Sequence, residues 1–330
     1  MDRGTPDETT VRAAVTMACR APSVHNSQPW RWRFGPEGLH LFADPSRHLP
    51  AVDPTGADLL LSCGAALHHA RIAFAATGWR ATVHRLPDPD RPDHLAVVEL
   101  SRHDPNEVEV AMAKAITFRR TDRRRFSSWR IPPALLAQLA DRARAEGVIA
   151  GDVADDKARY ELVMAIIRAA EAQNADPEYA LELRTWSDVG ARSVEGVPAA
   201  NIPAGDVWYG DVRTRTFPSG ELRQPGGAEV DDEGSLVVLG TTSDDRMSCL
   251  RAGEATSAVL LEATAAGLAT CPLTQPLEVA ETRELLRTEV LGGATYPQMV
   301  LRIGWGLMNA APLPPTPRRP LDDVLDPPTG

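Results

Sequence analysis

Two segments of this chain repeat one another in kind, Gly64–Gly78 and Gly253–Gly267. Each is an Ala-rich run of the same length, opened and closed by glycine. Small residues at helical spacing let two helices approach closely, and a glycine just past the last turn suits a left-handed C-terminal cap. A capped helix pattern precedes each run, Asp7–Arg20 in the first half and Pro132–Glu146, with proline in its first turn, in the second. After a loop, a strand-like stretch follows each, His94–Leu100 and Pro297–Ile303. This repeated order predicts an internal duplication, repeat one over 1–112 and repeat two over 113–330. Because identity between the copies is low, the competing reading is two unrelated Ala-rich helices.

Composition narrows what such a chain can do. Its 330 residues suffice for two domains or one large one, and 43% hydrophobic with 24% charged residues is ordinary globular material. No apolar run approaches the roughly 18 residues a membrane helix needs, and Met1–Thr10 is polar and acidic, unlike a secretory leader. Cys19, Cys63, Cys249 and Cys271 are scattered without CxxC spacing, which argues against zinc and disulfides and suits a reducing cytoplasm. A net charge of −10 repels polyanions, so neither nucleic acid nor a membrane is an expected partner.

Against that acidic background, Arg119-Arg120-Thr121-Asp122-Arg123-Arg124-Arg125 concentrates guanidinium groups in one short segment. Arg119, Thr121 and Arg123 alternate, so in an extended segment they share one side and can engage a phosphate dianion. Arg120 and Arg124 would then face solvent or acidic neighbours. Arg318 and Arg319 in the Pro-rich tail form a second basic pair that could close over the same phosphate. A solvated face or a nucleic-acid patch is the competing reading of such a run.

The first half instead carries Pro22-Ser23-Val24-His25-Asn26-Ser27-Gln28-Pro29-Trp30, read as a helix end, a turn with hydroxyl and amide side chains, then a strand. Ser23 and Asn26 can bond their own backbone here or turn toward a ligand. Trp30 and Trp32 are read as core. Repeat one lacks the arginine run and repeat two lacks the polar turn, so the duplication predicts one complete pocket and one stripped of both motifs.

Between Asp176 and Asp232 lies an insertion rich in Gly and Pro, with Trp186, Trp208, Tyr209 and Phe217 interspersed. Its aromatics favour an ordered lid over a linker. The tail from Pro312 is expected to wrap over the surface rather than build core. His68 and His69 are adjacent on a helix and cannot chelate one metal together, so no metal is expected and one or both should pack between the duplicated helices. Cys271 has no activating histidine nearby in sequence and reads as packing. No phosphate-binding glycine loop or serine-hydrolase elbow is present.

The polar turn, the arginine run, the loop Leu268–Pro276 and the Pro317-Arg318-Arg319-Pro320-Leu321 tail together resemble the nitroreductase superfamily, and more closely its Acg-type branch. The resemblance implies an α+β fold, a mixed sheet flanked by helices. It further implies FMN between two fused repeats that form an intrachain pseudo-dimer, so that a monomer could carry a whole site. Pro22, Ser23 and Asn26 would face the cofactor across the interface, with Arg119, Arg120, Thr121, Arg123, Arg318 and Arg319 around its phosphate. Pro272, Leu273, Thr274 and Gln275 would lie on the flavin ring, the Thr274 backbone N–H facing the reactive N5. Relatives commonly have an acidic residue and glycine where this chain has Thr274 and Gln275, so Gln275 adds bulk on the substrate side. The implied activity is an FMN oxidoreductase passing hydride from NAD(P)H through N5 to a small electron-poor acceptor, the flavin supplying the chemistry. The alternative is an FMN storage or sequestration protein whose lid occludes the flavin without turnover.

Overall fold

The computed structural model describes residues 4–187, 193–205, 207–224 and 232–327. Parts of the expected insertion, and the first three residues of the N-terminal segment, lie outside these ranges. The Asp7 carboxylate accepts from the Thr10 N–H at 2.7 Å and starts α1 (Glu8–Ala18). A short 3₁₀ turn over Val24–Asn26 leads into β1 (Trp30–Gly35) and β2 (Gly38–Ala43). Next come α2 (Ala57–Ala76), β3 (Trp79–Arg85), β4 (His94–Arg102) and α3 (Glu107–Phe118), the last opened by a reciprocal Asn106–Glu109 capping box. The second half runs α4 (Pro133–Ala145), β5 (Ile149–Asp152), α5 (Asp156–Asn174) and α6 (Pro177–Thr185). The hairpin β6 (Trp208–Tyr209) and β7 (Val212–Arg213) follows, then β8 (Ser235–Thr241) and α7 (Arg246–Ala265). The chain closes with β9 (Leu268–Pro272), α8 (Gln275–Glu278), α9 (Ala280–Leu285), β10 (Tyr296–Trp305) and β11 (Leu325–Asp326).

The class is α+β. One sheet has the order β11-β1-β2-β4-β3 and is mixed, because β11 joins β1 in parallel while the other neighbours are antiparallel. The other, β5-β8-β10-β9, is antiparallel throughout. Helices α2 and α7, each 20 residues long, pack on one another between these sheets. Their crossing explains the paired glycines. A Cβ on Gly64 would stand 2.0 Å from the Leu250 carbonyl oxygen, and one on Gly253 would stand 2.0 Å from the Leu61 carbonyl oxygen. The two contacts mirror each other, so the backbones touch where only hydrogen fits. These glycines therefore sit inside the helices, not at their starts as the sequence suggested. Gly78 and Gly267, with φ of 89° and 81°, lie just past the helix ends.

Helix α3 spans the expected boundary at 112/113 and delivers the chain directly to the arginine run. Three expectations need correction. The tail does build core: β11 pairs Leu325 with Trp32, and Val324 and Leu325 bury against the first sheet's cluster. Helix α2 is long and apolar enough to cross a bilayer, although 72% of that stretch is buried inside the fold. Arg120 does not turn away from Arg119 and Arg123, because the segment is not a continuous strand; it makes a single parallel bridge, Thr121 to Thr270.

Candidate functional site

Three of the singled-out segments converge between the sheets. The chain turns sharply after α1: His25, Asn26 and Gln28 hold φ of 45°, 56° and 52°, a left-handed conformation costly for residues with side chains. Side-chain bonds hold the turn in place. The Gln28 N–H donates to Ser23 Oγ at 3.0 Å, and the Val24 N–H donates to Ser62 Oγ of α2 at 3.2 Å. The arginine run lies alongside β9, where the Asp122 N–H donates to the Thr270 carbonyl at 2.8 Å. That bond brings Thr121 and Arg123 level with Cys271 and the loop behind it. The loop is fixed from below by the Leu273 N–H donating to the Val300 carbonyl at 2.8 Å.

Two contiguous clefts result, with about 910 and 730 Å³ of atom-free space, open solvent included, and sharing Pro22, Ser23, His25, Thr121 and Arg123 as walls. The smaller is basic. Arg20, Arg119, Arg120 and Arg318 converge there, and among the described residues none has a carboxylate within ion-pair distance. Arg119 is only 5% exposed, with Nε and Nη1 lacking any hydrogen-bond partner; Arg120 Nε lacks one too. Burial first, then the neighbouring guanidinium groups, push Arg119 down to about 10 and Arg318 down to about 9. Such a concentration of desolvated cations with unused donors is built for a polyanionic group.

The larger cleft is lined by Pro272, Leu273, Thr274 and Gln275 on one side and Asp58, Leu61 and Ser62 of α2 on another. The insertion roofs it with Thr214, Arg215 and Phe217. Arg215 is ion-paired with Glu278, donates to the Tyr179 hydroxyl, and reaches Thr274 Oγ1 at 3.2 Å and His25 Nε2 at 3.3 Å. Burial opposes the Arg215 charge, but Glu278 and Tyr179 outweigh it and raise its pKa, while burial and the Arg215 charge hold His25 neutral. Phe217 meets the His25 ring edge-on at 5.9 Å and takes the Arg123 guanidinium 5.3 Å from its centroid.

The expected residues distribute unevenly. Pro22, Ser23, Thr121 and Arg123 line both clefts; Arg119, Arg120 and Arg318 line the basic one; Pro272, Leu273, Thr274 and Gln275 line the other. Asn26 borders the basic cleft, but its carboxamide is committed within the protein. It donates to the Gly196 and Pro317 carbonyls at 3.0 and 3.1 Å and accepts from Arg318 at 2.9 Å, so it ties the insertion and tail to the turn. Gln275 is likewise tethered, donating to Gln173 Oε1 at 2.9 Å. Arg319 lies outside both clefts; its N–H donates to Gln28 Oε1 at 2.9 Å and its guanidinium sits 3.8 Å from Asp44. Arg124 pairs with Asp122. Cys271 is buried and its thiol is pushed upward by that burial. Sequence reasoning missed Arg20, Asp58 and Arg215 as wall residues. Arg20 directly precedes the polar motif, and Arg215 sits two residues before Phe217; nothing local distinguishes Asp58 from a helix-start acid.

The sequence matches the model of the nitroreductase family over residues 116–305. Among curated proteins, "Putative NAD(P)H nitroreductase Rv3131" of Mycobacterium tuberculosis is 47% identical over 97% of this chain and 92% of its own. "Putative NAD(P)H nitroreductase acg" of the same organism is 39% identical over 96% of this chain and 95% of its own. The crystal structure of "a putative nitroreductase from anabaena variabilis" aligns with a TM-score of 0.48 at 11% identity, covering 92% of this chain and 90% of that one.

Proposed function

This chain belongs to the nitroreductase family, and from that premise we propose that it binds one FMN in the joined clefts and works as an NAD(P)H-dependent oxidoreductase. The observation that carries the reading is the buried, unpartnered Arg119 beside Arg20, Arg120 and Arg318. A phosphate dianion supplies the acceptors those donors lack and neutralises part of a charge that is otherwise costly. Arg119, Arg120, Arg123, Arg318 and Thr121 would hold the phosphate end, joined by Arg20. Pro22 and Ser23 would flank the middle, and Pro272, Leu273 and Thr274 would bed the ring against β9, with the Thr274 backbone N–H presented to it. Bound there, FMN would supply two-electron transfer between a reduced nicotinamide and a small electron-poor acceptor. The protein's own share is to orient the ring, exclude water under Phe217 and Arg215, and keep His25 neutral. We further propose that the halves 1–112 and 113–330 are fused copies of one ancestral unit, supported by the mirrored Gly64–Gly253 contact, with β11 returned to the first copy's sheet. The four buried free thiols favour a reducing cytoplasm.

One observation favours a second reading, storage of FMN without turnover. The Arg215–Glu278–Tyr179 cluster buries the insertion over the ring cleft where an acceptor would enter. Anaerobic mixing of the yellow protein with NADPH separates the two. Bleaching of the bound flavin supports the oxidoreductase; flavin that stays oxidised while free FMN is reduced supports storage.

A further inference from the structure

A buried acid joins the ring cleft to a separate cavity on the outside of α2. Asp58 stands in the first turn of that helix, 9% exposed, and lines both spaces. The outer cavity has about 1000 Å³ of atom-free space, open solvent included, and Leu61 is the other wall common to the two. The Asp58 carboxylate accepts no hydrogen bond from any described residue. Its backbone carbonyl is engaged instead, accepting from Ser62 Oγ at 2.6 Å. Neighbouring acids are differently placed: Asp53 accepts from the Leu59 N–H at 2.9 Å, Glu278 is paired with Arg215, and Asp244 with Arg283. A buried, unpartnered carboxyl group on a residue that walls two cavities is placed to carry a proton between them.

We propose that Asp58 is the proton donor for acceptor reduction in the ring cleft, refilled with protons from the outer cavity. This rests on the flavoenzyme reading above. Burial first, then the negative charges of Asp53 and Glu278, raise Asp58 well above the ordinary carboxyl range, against the smaller opposing pull of Arg215 and Arg283. His48 faces Asp53 rather than Asp58, its Nε2 3.9 Å from Asp53 Oδ2. The donor role requires that Asp58 hold its proton at neutral pH. Reduction of a quinone or nitro acceptor by a reduced nicotinamide, through a flavin, requires one hydride equivalent and one further proton. In the quinone case the Asp58 O–H bond breaks as the second hydroquinone O–H bond forms, and the carboxylate left behind takes a proton from water in the outer cavity. For a nitro group the same balance yields the nitroso compound and water.

Infrared spectroscopy of protein carrying isotope-labelled aspartate tests the protonation without any turnover. At pH 7 the wild type should show a protonated carboxylic-acid band that Asp58→Asn lacks; its absence would overturn the proposal. Should Asp58→Asn fail to fold, loss of that band from the wild type alone at alkaline pH serves the same purpose, and a spectrum without it overturns the proposal equally. In flavin-loaded protein reduced anaerobically, reoxidation by a quinone should slow about a hundredfold in Asp58→Asn, with partial rescue by Asp58→Glu. The wild-type rate should fall at alkaline pH, and that limb should vanish in Asp58→Asn. Unchanged rate and profile at full FMN occupancy would overturn the donor role while leaving the flavin reading intact. A wild-type protein that takes up no FMN overturns both.

Discussion

Arg318 Nη1 donates to Asn26 Oδ1 at 2.9 Å, joining the C-terminal tail to the polar turn after α1. The same guanidinium caps that helix end, donating to the carbonyls of Cys19, Arg20 and Ala21. It thus closes the basic cleft from the tail side while adding charge to it. Its neighbour Arg319 is spent on Gln28 and Asp323. Arg318→Ala should weaken FMN binding by roughly tenfold, through the loss of its charge at the cleft and of the tail's anchor, since its N–H groups are already bonded within the protein. Arg319→Ala should leave it within about twofold. Fluorescence titration of the apoprotein reads both.

Arg119→Met should move stability and affinity in opposite directions. The apoprotein bears a buried cation facing other cations, so removing it should raise unfolding free energy by roughly 1 kcal/mol. The same change should weaken FMN binding at least tenfold. Urea unfolding of apoprotein and FMN titration, run side by side, check the signs; a loss of stability would mean Arg119 has a partner in the protein.

Gly64→Ala and Gly253→Ala should each destabilise by about 3 kcal/mol or more, because the added carbon meets backbone that cannot move aside. Gly78→Ala tests only the cap, with a φ of 89°, and should cost about 1 kcal/mol. Chemical denaturation ranks the three.

His68 donates to or accepts from Ser257 Oγ at 2.8 Å across the α2–α7 contact, and burial pushes it down to about 4. Its unfolded value is near 6.5, so the unfolded chain binds the proton first as pH falls. The stability it lends is therefore complete above pH 6.5 and is lost on acidification toward pH 4, by roughly 3 kcal/mol. His68→Gln should flatten the melting-temperature profile across that window; an unchanged slope would assign acid sensitivity to His25 or His69.

The sequence carried the scaffold well because α2 and α7 announce themselves twice, by small residues and by the glycines beyond their ends. The two motifs marking the clefts were equally legible, since five arginines in an acidic chain have few uses. What escaped was whatever depends on chain segments far apart. Asn26 looked like a ligand group, yet its partners Gly196, Pro317 and Arg318 come from the insertion and the tail. The tail's proline content hid the two-residue strand that seats Leu325 beside Trp32. Arg120 joined the basic cleft because one isolated bridge at Thr121, not a full strand, governs the segment. Asp58 gave no local sign, its environment being assembled from the segment before α2 and from α8 and α9.

The central claim is a single phosphate-anchored flavin per chain, and apoprotein titrated in parallel with FMN and riboflavin tests it most directly. The account predicts one FMN bound per polypeptide and riboflavin weaker by about a hundredfold or more, the share of the dianion held by the arginines. Two equivalent sites, or riboflavin bound as tightly as FMN, would contradict it.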